Sequence, residues 1–370
     1  MPINSVILSS RIAEARTEAG LTQADLAGQI GLARSAVAKI ETGLRGVSAL
    51  ELSQIASAVG QRVEWLLTDG PAAVVAHRIR RDADSSVASI DRELERLARD
   101  VEFLAEQSSS FHLPAREPWS VPQSFSDADN LAARARDELN LEKGAPALRL
   151  AETFGGLGLL VFVKDLGIDS ADGGTVLLSQ GGLSLINGTS HLGRRRLTAA
   201  HELAHYLVAD DFVIDWRVAE GAESGRTEAF FDRFARALLL PEEGLGRYWL
   251  TALADGLRAA AVRTASHFQV DMATLARRLH ETGIIDREEA GRIREVRTTR
   301  ADIVDYDLIV PYELEKPTLP RSYERGVLAL YRGERISAER ALDLLHSTYA
   351  LEDLPELSPA REDELWSILN

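Results

Sequence analysis

Three residues at fixed spacing offer chemistry in this 370-residue chain: His201, Glu202 and His205, in the run His201-Glu202-Leu203-Ala204-His205. On a helix, positions i and i+4 share a face, so the two imidazoles can reach one ion. Glu202 lies about 100° around the helix from His201, close enough to act on a water beside that ion without ligating it. Neutral imidazole suits zinc, and zinc lowers the pKa of a bound water to about 7, making it a usable nucleophile. Glu202 is then the base that takes the proton and later returns it to a leaving amine. The chain has no cysteine, so thiolate sites and disulfides are excluded and further ligands must be His, Asp or Glu.

Two imidazoles need a third ligand. Glu228 and Asp232 stand one helical turn apart, in a stretch whose Phe231, Phe234, Ala235 and Leu238 form a packing stripe ended at Pro241. Glu228 is expected on the metal, with Asp232 behind it holding a ligand imidazole by its second nitrogen. Glu220 and Glu223, in a glycine-broken loop, are weaker choices. His191 and Tyr206 fit either oxyanion stabilisation or a structural role, and the structural role is preferred. His267 and His280 are expected to be structural, and His77, His112 and His346 to be solvated.

The elements that must position these groups are legible nearby. Helices are expected over 127–139, 147–154 and 196–209, the last carrying the His-Glu motif among buried-type neighbours. Gly155-Gly156-Leu157-Gly158 turns into a strand over 159–163, and strands over 175–179 and 183–187 flank Gly181-Gly182. A small sheet thus precedes the motif helix. This lead-in, the motif and the Glu228…Leu238-Leu239-Leu240-Pro241 helix resemble the ImmA/IrrE family of zinc metallopeptidases over about residues 125–285. The resemblance implies a zincin-like fold, a Zn2+ cofactor and cleavage of DNA-bound repressors. That family often has an acidic residue and an alanine where this chain has Phe230 and Phe231, so local packing is expected to differ. The resemblance also implies that the helical pair over 258–282 closes the domain.

Residues 9–67 read as short helices broken by glycine. The stretch Leu21-Thr22-Gln23-Ala24-Asp25-Leu26-Ala27 through Gly31-Leu32-Ala33-Arg34-Ser35-Ala36-Val37-Ala38-Lys39-Ile40-Glu41 resembles the XRE (lambda-repressor-like) helix-turn-helix family. Ala27 is small where two helices cross, and Val37 and Ile40 bury the recognition helix. Arg34, Ser35 and Lys39 then point outward, towards base edges in a major groove. By resemblance, Gln23 and Arg45 sit near phosphates.

Net charge is −15, which argues against loose, nonspecific nucleic-acid binding; residues 1–67 are neutral, with six Lys/Arg and six Asp/Glu. DNA binding therefore calls for a small patch and for dimerisation. Ala83, Val87, Ile90, Leu94, Leu97, Val101 and Leu104 are spaced 4, 3, 4, 3, 4, 3, a heptad pattern expected to form a parallel coiled-coil dimer, the other reading being one long helix packed on its own chain. No signal peptide and no membrane span are read from the sequence, and a cytoplasmic location is expected.

The expected architecture is multidomain and mainly α. An all-α helix-turn-helix head (1–68) leads to a helical coiled-coil linker (69–113). An α+β metallopeptidase domain (122–296) and a helical tail (297–370) follow. The expected function is a DNA-binding homodimeric regulator whose peptidase domain cleaves or senses a regulatory protein. Two alternatives share this architecture: an antitoxin that represses its operon and sequesters a toxin, and a phage-type immunity repressor.

Overall fold

The computed structural model describes residues 5–59, 63–67, 75–78, 84–168, 170–208, 222–308 and 311–357. The chain divides into two units, residues 1–72 and 73–370.

The first unit contains α1 (Ser5–Glu18), α2 (Gln23–Gln29), α3 (Arg34–Glu41), α4 (Ala49–Ala58) and α5 (Val63–Leu67). Local chemistry sets the helix starts. The Thr22 side chain accepts from the Asp25 N–H while Asp25 reaches back to the Thr22 backbone, and Ser48 and Glu51 do the same at α4. The apolar faces close into one core around Ile12, Leu26, Ala27, Val37, Ile40 and Ile55. This is the helical head expected from the sequence, with Ala27, Val37 and Ile40 inside.

The second unit is built on a small sheet. Its strands are β1 (Val75–Arg78), β2 (Leu159–Lys164), β3 (Gly173–Leu177) and β4 (Gly182–Asn187), in the order β1-β3-β4-β2. β2 runs parallel to β4, β3 antiparallel to β4, and β1 antiparallel to β3. The side-chain period of two sends successive residues to opposite faces. Leu159, Val161 and Val163 join one core, and Leu160 and Phe162 join the other. Both faces are covered, which explains the unbroken apolar run of β2.

On the first face lie α7 (Phe125–Glu138), α8 (Leu150–Gly155), α9 (Leu192–Leu207) and α10 (Ala222–Leu239). α9 carries the His-Glu motif and is buried along nearly its whole length. It approaches the sheet closely because glycines stand beneath it. A Cβ on Gly173 would fall 2.7 Å from the Thr198 methyl, and one on Gly182 would fall 2.8 Å from the Tyr206 ring. α11 (Glu242–Ala252), α12 (Leu257–Phe268), α13 (Met272–Glu281) and α14 (Arg287–Glu295) extend the same core, so the 258–282 pair closes this body as expected. A short α15 (Arg300–Asp305) follows.

The other face is covered by α6 (Asp84–Gln107), α16 (Arg321–Arg332) and α17 (Ala338–Leu344). Here the structure corrects the sequence. The heptad helix forms, but its stripe is not an intermolecular seam. Ile90, Leu94, Leu97, Val101 and Leu104 are fully buried against Leu160, Phe162, Val176 and Leu185 of the sheet and Tyr323 and Val327 of α16. The Val87 side chain lies outside the described residues. A single apolar stripe along a helix serves equally to cover an apolar sheet face, and α6 shares that face with α16 and α17. Residues 84–107 and the 321–344 part of the tail thus belong to the same unit as the sheet. β1 also falls inside the 69–113 segment expected to be a helical linker. His346, expected in solvent, is buried, with Nδ1 3.4 Å from Lys164 Nζ and Nε2 3.4 Å from Asp100 Oδ2.

Burial of each of these leucines contributes about 1.5–3 kcal/mol. Leu97→Ala should therefore lower unfolding stability by about 2–5 kcal/mol in urea titrations, independently of protein concentration. A loss that appears only at concentrations where chains associate would restore the intermolecular seam.

Candidate metal centre

α9 begins at His191, whose ring accepts the Arg194 N–H, so His191 is a capping residue far from the motif. One turn later Arg196, fully buried, is paired with Glu313 and donates to the Ala147 carbonyl. Arg195 donates to Glu315 at 2.6 Å. These two cations tie the 313–315 segment to α9 and fix the helix on the sheet.

The motif residues are buried: His201 is 1% exposed, Glu202 0% and His205 7%. His201 Nε2 lies 3.1 Å from His205 Nε2 and 3.1 Å from Glu228 Oε2, and His205 Nε2 lies 3.6 Å from Glu228 Oε1. Zinc bonded tetrahedrally at about 2.0–2.1 Å holds its donors about 3.3–3.4 Å apart, so the observed spacings bracket the value the ion requires. The donor set, two imidazoles and one carboxylate, is itself a zinc set, and all three ligand atoms lie within 4.8 Å of one another. The residues fit the metal.

Asp232 Oδ1 lies 3.0 Å from His201 Nδ1. α10 thus presents Glu228 to the donor cluster and, one turn on, Asp232 to the far side of the same imidazole. The carboxylate fixes the ring's orientation and makes Nδ1 the protonated nitrogen, leaving Nε2 as the donor. Phe231 packs edge-on against His205, with ring centroids 4.6 Å apart, and against His201 at 6.2 Å. Burial pushes the Glu228 carboxyl up, but the adjacent imidazoles outweigh it and hold the group below its usual range.

Glu202 turns the other way, towards the sheet. Its Oε2 accepts the Thr175 hydroxyl at 2.8 Å, and Thr175 Oγ1 lies 2.7 Å from Ser184 Oγ. This pair was missed in the sequence. The available signal is a Thr and a Ser inside strands that are otherwise apolar, Val176-Leu177 and Leu183…Leu185-Ile186. Tyr206 is not placed for oxyanion chemistry. Its hydroxyl donates to the Leu157 carbonyl at 2.8 Å, and burial pushes its pKa up to about 12. His267 stacks on Tyr248 at 4.0 Å, and His112 is exposed. Glu220 lies outside the described residues.

In the head, Arg34, Ser35 and Lys39 are exposed along α3. Gln23 Nε2 donates to Glu41 Oε2 at 2.8 Å, and Arg45 Nη2 to Glu51 Oε1 at 2.6 Å. Both side chains expected at phosphates are thus tied within the head itself.

Comparison with known families assigns both regions. Residues 12–66 match the helix-turn-helix family model, and residues 157–280 match the model of the IrrE N-terminal-like domain. No curated protein matches the chain.

Asp232→Ala should weaken zinc binding about 10–100-fold, measured by competition with a chromophoric chelator. Affinity should also fall as pH is lowered, because protons then compete for the imidazoles. Unchanged affinity in the variant would mean that the Asp232–His201 bond does not orient the ligand.

Proposed function

We propose, from a chain that joins an XRE-type helix-turn-helix domain to an ImmA/IrrE-type metallopeptidase domain, that this is a DNA-binding regulator that hydrolyses a regulatory protein. The observation that carries the reading is the convergence of His201, His205 and Glu228, with Asp232 behind His201. His201, His205 and Glu228 would hold Zn2+. When bound, the metal supplies Lewis acidity to a carbonyl and lowers the pKa of water.

The protein groups do the rest. Glu202, on the same helix as the two imidazoles, accepts a proton from the attacking water. It then delivers that proton to the leaving nitrogen as the C–N bond breaks. Thr175 donates to one carboxylate oxygen and so sets the direction of the other. Burial of the motif helix keeps bulk water away from these exchanges.

Arg34, Ser35 and Lys39 form the surface proposed to meet base edges in the major groove. Heads of this kind read paired half-sites, so two chains are proposed on one operator. Their pairing must use a surface other than the α6 stripe, which is buried within the chain. Among the described residues, no helix is long and apolar enough to cross a membrane, which agrees with a DNA-bound role.

Glu202→Gln should keep about one zinc per chain and full operator binding, yet lose peptide hydrolysis by about 10²–10⁴-fold. If zinc binds and this change alters neither cleavage nor the regulatory output, the peptidase reading fails and the antitoxin alternative gains. Separately, Arg34→Ala should weaken operator binding by about 1–3 kcal/mol in fluorescence anisotropy while leaving zinc content unchanged. Equal affinity of wild type and variant would remove Arg34 from the DNA-reading surface.

A further inference from the structure

The IrrE-like match begins at residue 157, yet the sheet it contains is extended by a strand from outside the match. β1 runs antiparallel along β3, with Val75 opposite Val176, Ala76 opposite Thr175, His77 opposite Gly174 and Arg78 opposite Gly173. The other edge of β3 is taken by β4, so β1 fills the outer edge. Two observations tie this edge to the candidate site. The Thr175 hydroxyl holds Glu202, and Thr175 is the residue whose register partner is Ala76. α9, which carries Glu202, lies against both β3 and β1.

An outer sheet edge presents a row of backbone N–H and C=O groups to any extended chain. Peptides that dock by adding a strand gain affinity from those hydrogen bonds without needing a particular sequence. An edge one side chain away from the base is therefore where an extended peptide would lie within reach of hydrolysis. The four-residue segment holding that edge follows the DNA-binding unit in sequence.

We propose that residues 75–78 are a built-in block: they occupy in cis the outer edge of β3, with which an extended peptide must pair to lie beside Glu202. An incoming peptide must displace this strand. The inference rests on the metallopeptidase reading and adds to it a built-in block. A tethered strand competes at an effective concentration of the order of millimolar, enough to exclude a free peptide of weak affinity. The segment that joins the head to the peptidase body is thus also the segment that closes the edge.

The test uses the full chain carrying Glu202→Gln, so that no turnover intervenes, and a fluorescein-labelled peptide with the sequence of residues 71–82. Residues 75–78 are replaced by Gly-Ser-Gly-Ser. The replaced protein should bind the peptide at least about tenfold more tightly than its parent, because the tethered competitor is gone. By hydrogen exchange, amides of β3 should lose protection in the replaced protein and regain it with peptide, while those of β2 stay protected. Ala76→Pro, which opposes the ladder at one residue, is the second variant and should give the same gain. Equal binding by parent and variants, or no binding by either variant, overturns the proposal. Zinc content is measured on the same samples. Its absence would count against the metallopeptidase reading, whereas the peptide result judges the edge, because backbone pairing needs no metal.

Discussion

The structure depends on one constraint: α9 places two imidazoles and a carboxylate in the interior, and each must find a polar partner there. A buried polar group without a partner costs about 1–3 kcal/mol, and a buried charge more. His201 is met on one nitrogen by Asp232 and faces Glu228 with the other. Glu202 is met by Thr175. The partners come from two directions, α10 on one side and the sheet on the other. The motif helix is therefore held in register by the same contacts that arrange its chemistry.

That arrangement needs a rigid support. The support is a sheet covered on both faces, with α9 and its neighbours on one side and α6, α16 and α17 on the other. Small residues at Gly173 and Gly182 let α9 settle close to the strands, and Arg195 and Arg196 bind the 313–315 segment to it. Residues far apart in sequence, from 84–107 and from 321–344, thus stabilise the surface on which the candidate site stands. Loss of the α6 cover would expose Leu160, Phe162 and Leu185 and loosen the sheet beneath Thr175.

Much of the site was legible in the sequence because its signals are local. The spacing of His201 and His205, and of Glu228 and Asp232, is helical arithmetic, and the structure brings all four together. The head was legible for the same reason, through Gly31, Ala27, Val37 and Ile40. The misreadings were not local. The α6 stripe has the period of a coiled coil, but period alone does not say whether the partner is a second helix or a sheet of the same chain. Thr175 and Ser184 became relevant only once β3 and β4 lay under α9. His346 looked like a surface residue because its partners, Asp100 and Lys164, are distant in sequence. β1 was hidden in a segment whose composition reads as linker.

His201, His205 and Glu228 are proposed to form a zinc site held in shape by the protein around it. X-ray absorption at the zinc edge on the purified chain tests it most directly. Such a site should hold about one zinc per chain, with two imidazole nitrogens and light oxygen donors at about 2.0–2.1 Å, and lose one imidazole contribution in His205→Ala. A chain that takes up no zinc at neutral pH, or whose zinc environment is the same after His205→Ala, would contradict it.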